Sequence, residues 1–143
     1  MLIGREREVS FLEEIVSREE SQLVAVYGRR RIGKTYLIRE TLKDRFTFQH
    51  TGIYGGTRKE QLAAFFEALR DAGLSGEHPL PGNWFEAFWL LKKLIEQSTR
   101  PRKILFIDEL SWMDTPKTDL LRALEHFWNT CASARKDVVL IVC

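Results

Sequence analysis

Cysteine and histidine are scarce in this 143-residue chain, and the few present do not gather. The two cysteines, Cys131 and Cys143, are too few and too far apart for a disulfide framework or a metal site, and each reads as a small packed thiol. His50, His78 and His126 are scattered without ligand spacing, so no zinc is expected. No apolar run approaches the ~20 residues that a membrane helix needs. The opening Met1-Leu2-Ile3-Gly4-Arg5-Glu6-Arg7-Glu8 turns charged at once and offers no apolar signal core, which points to a cytoplasmic protein with no membrane partner. Neither sign of charge dominates: 22 Lys and Arg against 20 Asp and Glu give +2, too little to argue for nucleic acid or a membrane surface. Repeats and low-complexity tracts are missing as well.

What is there suits one globular domain: 44% hydrophobic, 29% charged, and long enough to bury a core. Four apolar runs read as strands, at Gln22–Tyr27, Phe46–Thr51, Lys103–Ile107 and Val138–Cys143. The first, third and fourth show no alternation, as expected of parallel strands covered on both faces. Helical periodicity marks Arg5–Arg18, Gly33–Leu42, Lys59–Ala72, Trp84–Gln97 and Lys117–Ser133. A Thr57…Glu60 capping box opens the third helix, Asn83…Glu86 stands at the start of the fourth, and Thr115-Pro116 leads into the fifth. Strands alternating with helices predict an α/β fold with a mainly parallel sheet sandwiched by helices. Ser75–Gly82, with Pro79 and Pro81, reads as a flexible loop. The chain stops on an apolar strand, which reads as truncation after the fourth strand and an N-terminal piece of a longer protein.

Gly28-Arg29-Arg30-Arg31-Ile32-Gly33-Lys34-Thr35 matches G-x-x-x-x-G-K-[ST] between an apolar strand and a helix, where a P-loop sits. Glycines at 28 and 33 let successive main-chain N–H groups turn inward as a nest for phosphate oxygens, and the helix N-terminus adds its partial positive charge. Lys34 supplies a point charge for the β- and γ-phosphates of ATP, and Thr35 a hydroxyl for Mg²⁺. Tyr36, one residue on, joins the candidate nucleotide contacts. Arg29, Arg30 and Arg31 fill the variable positions. They either add potential that draws the nucleotide in or stand solvated while the backbone binds, and screening within ~8 Å favours the second.

Lys103-Ile104-Leu105-Phe106-Ile107-Asp108-Glu109 is an apolar strand ending in two acids, the shape of a Walker B element. Asp108 is the candidate second Mg²⁺ residue, opposite Thr35. Glu109 is the candidate catalytic base that orients and polarises the attacking water, with Lys34 the catalytic cation. The carboxyl ends of parallel strands are where such sheets hold ligands. Trp112-Met113, just past the acids, is a candidate partner contact.

Ile3-Gly4-Arg5-Glu6-Arg7-Glu8, Tyr27–Thr35 and Phe106-Ile107-Asp108-Glu109-Leu110-Ser111-Trp112-Met113 together resemble the archaeal-type ATPase family, prokaryotic AAA-like P-loop ATPases related to the signal-transduction NTPases. The resemblance implies an ATPase core whose fourth strand lies between the P-loop strand and the acidic strand. It also implies that Gly4 and Arg5 belong to a nucleotide-proximal N-terminal motif. Family members usually continue into a helical lid, a winged-helix segment and sometimes a nuclease-like domain. The end at Cys143 leaves the sensor residue, any trans-acting arginine and any DNA contact unassigned.

Two functions from different classes follow. The chain is an ATP-hydrolysing switch core, with a homo-oligomer, a protein partner or DNA reached through further domains; or it is a non-catalytic nucleotide-sensing module that orders the surface around Trp112. A small-molecule kinase shares the P-loop but lacks a recognisable acceptor site, and no Asn-Lys-x-Asp segment argues for GTP.

Overall fold

The computed structural model describes residues 6–26 and 33–143. Its elements run α1 (Glu6–Ser17), β1 (Gln22–Ala25), α2 (Lys34–Thr41), β2 (Phe46–Thr51), α3 (Arg58–Asp71), α4 (Trp84–Gln97), β3 (Lys103–Asp108), α5 (Leu110–Met113), α6 (Leu120–Phe127), a π-helical turn (Trp128–Ala132) and β4 (Val138–Val142). The four strands form one sheet in the order β1-β4-β3-β2, and every pairing is parallel. The fold is therefore α/β, with β4 between β1 and the acidic strand β3.

Two apolar layers pin the helices to the sheet. On one face Phe48, Leu105, Ile107, Val138 and Leu140 pack against α3, α4 and α6. On the other, Ile104, Phe106, Val139 and Ile141 pack against α1 and α2. The central strands β3 and β4 are covered on both sides, which is why they read as continuous apolar runs. Each fully buried Leu, Ile, Val or Phe there contributes about 1.5–3 kcal/mol. β1 differs from expectation: it lies at the edge of the described sheet, its burial alternates, and Leu23 is 49% exposed. Among the described residues no helix is long and apolar enough to cross a membrane.

Local chemistry sets the helix ends. Thr57 and Glu60 form the reciprocal capping box, with Glu60 N–H donating to Thr57 Oγ1 at 3.2 Å and Thr57 N–H to Glu60 Oε1 at 2.8 Å. Asn83 Oδ1 accepts from Glu86 N–H at 2.9 Å, and α4 starts at Trp84 as expected. The helix expected over Lys117–Ser133 is shorter. Lys117 adopts the left-handed conformation with φ of 60°, which breaks any helix there, so α6 begins at Leu120. Its last turn widens into the π form, closed by Ser133 N–H on Trp128 C=O at 2.8 Å.

At the amino ends of the strands the Arg102 guanidinium donates to the carbonyls of Ile15, Val16, Glu20 and Lys136 at 2.6–3.1 Å. Two of those acceptors are carbonyls of α1's last turn, where a cation satisfies orphan acceptors and meets the negative end of the helix dipole. Beside it the Asp137 carboxylate takes two bonds from Arg135 at 2.8 and 2.9 Å and an ion pair from Lys103 at 3.2 Å. The Arg135 hydrogen bonds lead the causes that hold its pKa down to about 2.

His50, on β2, is buried among aromatic rings, 6.4 Å from Phe48 and 5.3 Å from Phe65 between centroids. Its Nε2 has no hydrogen-bond partner among the described residues. Burial lowers its pKa to about 4. An imidazole in the unfolded chain titrates near pH ~6.5, so below that pH the unfolded chain takes up a proton that the native one refuses. The contribution of this site is complete above pH ~6.5 and is lost as the pH falls toward 4, to a total of about 3 kcal/mol. Urea unfolding of wild type and His50→Leu between pH 7.5 and 4 checks this: the wild type loses stability relative to the variant across that window. Parallel curves would assign the acid sensitivity elsewhere.

Candidate functional site

The strand register brings the carboxyl ends together: Ala25 pairs with Val142, Ile107 with Val142, and Thr51 with Asp108. α2 starts beside these tips. Gly33, its N-cap, has φ of 77°, a conformation that glycine takes without the steric cost a Cβ brings, and it offers no capping side chain. The first-turn N–H groups are therefore left without a side-chain cap.

Thr35, in the first turn of α2, donates its hydroxyl to Asp108 Oδ2 at 2.9 Å. Two residues 73 positions apart, each a candidate cation ligand, thus meet directly. Asp108 is only 4% exposed, and its other oxygen accepts from the Glu109 N–H at 2.9 Å. A hydroxyl beside a buried carboxylate oxygen is a hard donor set and fits Mg²⁺. Among the described residues no group of three or more His, Cys, Asp or Glu gathers around a point. A cation held by Thr35 and Asp108 would thus draw its remaining ligands from water and phosphate, as Mg²⁺ at nucleotide sites does.

Glu109 has φ of 56° and ψ of 46°, a left-handed conformation that costs a residue with a side chain about 1–2 kcal/mol. Such strain persists only where the surroundings hold it. Here Leu110 N–H donates to Cys143 C=O at 2.9 Å, Trp112 N–H to Glu109 C=O at 3.1 Å, and Gly52 N–H to Asp108 C=O at 3.0 Å. Gly52 is a close approach: a Cβ there would lie 2.5 Å from the Glu109 carbonyl oxygen and 2.9 Å from Met113 Cγ. The turn after β3 is clamped between the ends of β4 and β2.

Of the residues singled out from the sequence, Gly33, Lys34, Thr35, Asp108 and Glu109 converge on these strand tips. Tyr36 is half-exposed on α2. Gly4, Arg5, Tyr27, Gly28, Arg29, Arg30, Arg31 and Ile32 lie outside the described residues. Sequence reasoning gave no specific role at the site to three neighbours. Cys143 follows β4, within electrostatic range of Asp108, Lys34 and Glu109. Its thiol is pushed up to about 11, first by burial and then by the two carboxylates against the pull of Lys34. Arg39 donates to Thr51 Oγ1 at 2.9 Å, tying α2 to the end of β2. Gly52 falls in the glycine-containing segment 51–57, which reads from the sequence as a flexible connection beside the active site, but its close approach to Glu109 was not marked there. The position of Cys143 follows from the order β1-β4-β3-β2, which the family resemblance implied: the strand between β1 and β3 ends beside both. A cavity of about 700 Å³ lies elsewhere, at the start of β2 and the ends of α3 and α4. It is remote from the carboxyl edge where parallel sheets hold ligands.

Residues 2–143 match a family profile described as an ATPase domain predominantly from Archaea. Over 45 residues, 32% of this chain and 76% of the relative, the chain is 40% identical to an uncharacterized ATP-binding protein of Methanocaldococcus jannaschii. It also resembles a solved structure of a Walker-type ATPase of Pyrococcus abyssi, with a TM-score of 0.57 and 18% identity, over 97% of this chain and 44% of that one. At that identity the likeness is one of fold, and the chain spans less than half the length of that protein.

Proposed function

The chain belongs to the family of ATPase domains found predominantly in Archaea, and from that premise we propose that it binds ATP as the magnesium complex at the strand tips and hydrolyses it to drive a conformational switch. The observation that carries the reading is the 2.9 Å hydrogen bond from Thr35 to Asp108. It brings the start of α2 against the end of β3, which supports a metal-bound triphosphate held between them.

In this reading the main chain from Gly28 to Gly33 and the first turn of α2 surround the β- and γ-phosphates, with Lys34 neutralising their charge. Arg29, Arg30, Arg31, Ile32 and Tyr36 border the nucleotide, and Gly4 and Arg5 approach it from the N-terminal segment. Thr35 and Asp108 hold Mg²⁺, which when bound supplies charge neutralisation across the phosphates. Glu109 sits one residue past the metal carboxylate, displaced from it by the left-handed turn, and there accepts a proton from the attacking water. The switch is read by a protein partner, by a second copy of the chain or, through further domains, by DNA.

Calorimetric titration with ATP tests the metal-binding part. Affinity should fall about tenfold or more when Mg²⁺ is chelated, because Asp108 reaches the phosphates only through the cation and without it faces their negative charge; tenfold corresponds to ~1.4 kcal/mol. Equal affinity with and without the cation would remove Thr35 and Asp108 from the site.

A further inference from the structure

α5 has four residues, too few to hold a helical turn by its own hydrogen bonds. It is nevertheless the segment that fixes the backbone after Glu109, so something outside it must. Gln61, on α3, is completely buried and spans the gap. Its Nε2 donates to Trp112 C=O at 3.0 Å, to Ile53 C=O at 2.7 Å and, more weakly, to Gly56 C=O at 3.4 Å. Its Oε1 accepts from Ile53 N–H at 3.0 Å. The acceptors on one side and the donor on the other fix which way the amide points.

Two glycines of the β2–α3 connection make room for this arrangement. A Cβ on Gly56 would lie 2.7 Å from the Gln61 amide nitrogen, and a Cβ on Gly52 would strike the Glu109 carbonyl. Met113, the last residue of α5, is fully buried beneath the same connection. On the outside Tyr54, 76% exposed, meets Trp112 edge-to-face with centroids 5.3 Å apart. One buried amide thus joins an exposed loop, the short helix and the turn that carries Glu109.

We propose that Gln61 is a positioning residue for Glu109: by holding Trp112 C=O against the β2–α3 connection it keeps the left-handed turn, and with it the carboxylate, in register with the phosphates. The inference rests on the hydrolytic reading above and adds to it the means by which Glu109 is aimed. Gln61 is completely buried and its amide is engaged by backbone groups of Ile53, Gly56 and Trp112, so its removal is expected to move the chemical step and leave binding alone.

The test compares Gln61→Met with Glu109→Gln, singly and together, measuring phosphate release and Mg-ATP affinity. Gln61→Met is expected to lower kcat by about 10²-fold, the usual cost of misplacing a catalytic group by ~1 Å, with affinity held within about threefold. In the Glu109→Gln background it should cause no further loss, because residues acting as a unit are not additive. Gly56→Ala, which crowds the amide without removing it, should lower kcat in the same direction and keeps the test standing if Gln61→Met does not fold. Unchanged kcat, a parallel loss of affinity, or full additivity with Glu109→Gln would overturn the positioning role. If Glu109→Gln itself hydrolyses normally, the hydrolytic reading fails first; if it is inactive while Gln61→Met turns over normally, only this inference fails.

Discussion

Glu109→Gln is expected to lower ATP turnover by about 10²- to 10⁴-fold while leaving Mg-ATP affinity within a factor of about three, because a general base contributes on that scale to the chemical step and nothing to binding. Gln keeps the size of the side chain and its ability to orient a water, but it cannot take the proton. The backbone that aims the group is held by contacts that do not involve the carboxylate: Leu110 on Cys143, Trp112 on the Glu109 carbonyl, Gly52 on Asp108. The substitution therefore removes a proton acceptor from an otherwise unchanged turn. Single-turnover phosphate release and calorimetry on the same preparation separate the two quantities. Turnover within threefold of wild type would remove Glu109 from the role of base.

Lys34→Ala is expected to weaken Mg-ATP binding by roughly 10- to 10²-fold, the range of a charge-assisted hydrogen bond worth ~1.5–3 kcal/mol. The first-turn amides of α2 and the helix dipole remain, and the dipole is worth ~0.3–1 kcal/mol at exposed sites, too little to replace an ammonium. Lys34 starts the helix just after Gly33 and is only partly buried, so its loss should leave the thermal midpoint nearly unchanged. Affinity equal to wild type would move the phosphates away from the start of α2.

How much of this could be read from residues alone depends on how local each signal is. The G-x-x-x-x-G-K-[ST] pattern stands out because four fixed positions lie within eight residues, and of these the structure describes Gly33, Lys34 and Thr35 at the start of α2. β3 was legible for a similar reason: a run buried on both faces has only apolar residues, and its end is announced by Asp108 and Glu109. α4 was bounded by Asn83 at its start, and it lies where the pattern put it. The start of α6 was not, because the pattern ran on through Lys117 while the backbone there turned left-handed. β1 carries the same kind of apolar run as the core strands but has no described neighbour on one side, and nothing in four residues reports a missing neighbour. The Thr35–Asp108 bond could be anticipated once both motifs were placed in one sheet. The Gln61–Trp112 bond could not: a glutamine amid an amphipathic helix, 51 positions from its partner, looks like any other polar residue until the chain is folded.

The Arg102 clamp and the Asp137 ion pairs have one more consequence. They rivet the floor of the sheet, where α1, β3 and β4 share a lattice of charged bonds, while the roof carries a strained turn and a helix one turn long. Under the proposed hydrolysis, a change at the strand tips would reach the exposed Tyr54 and its Trp112 neighbour before it reached the base of the sheet.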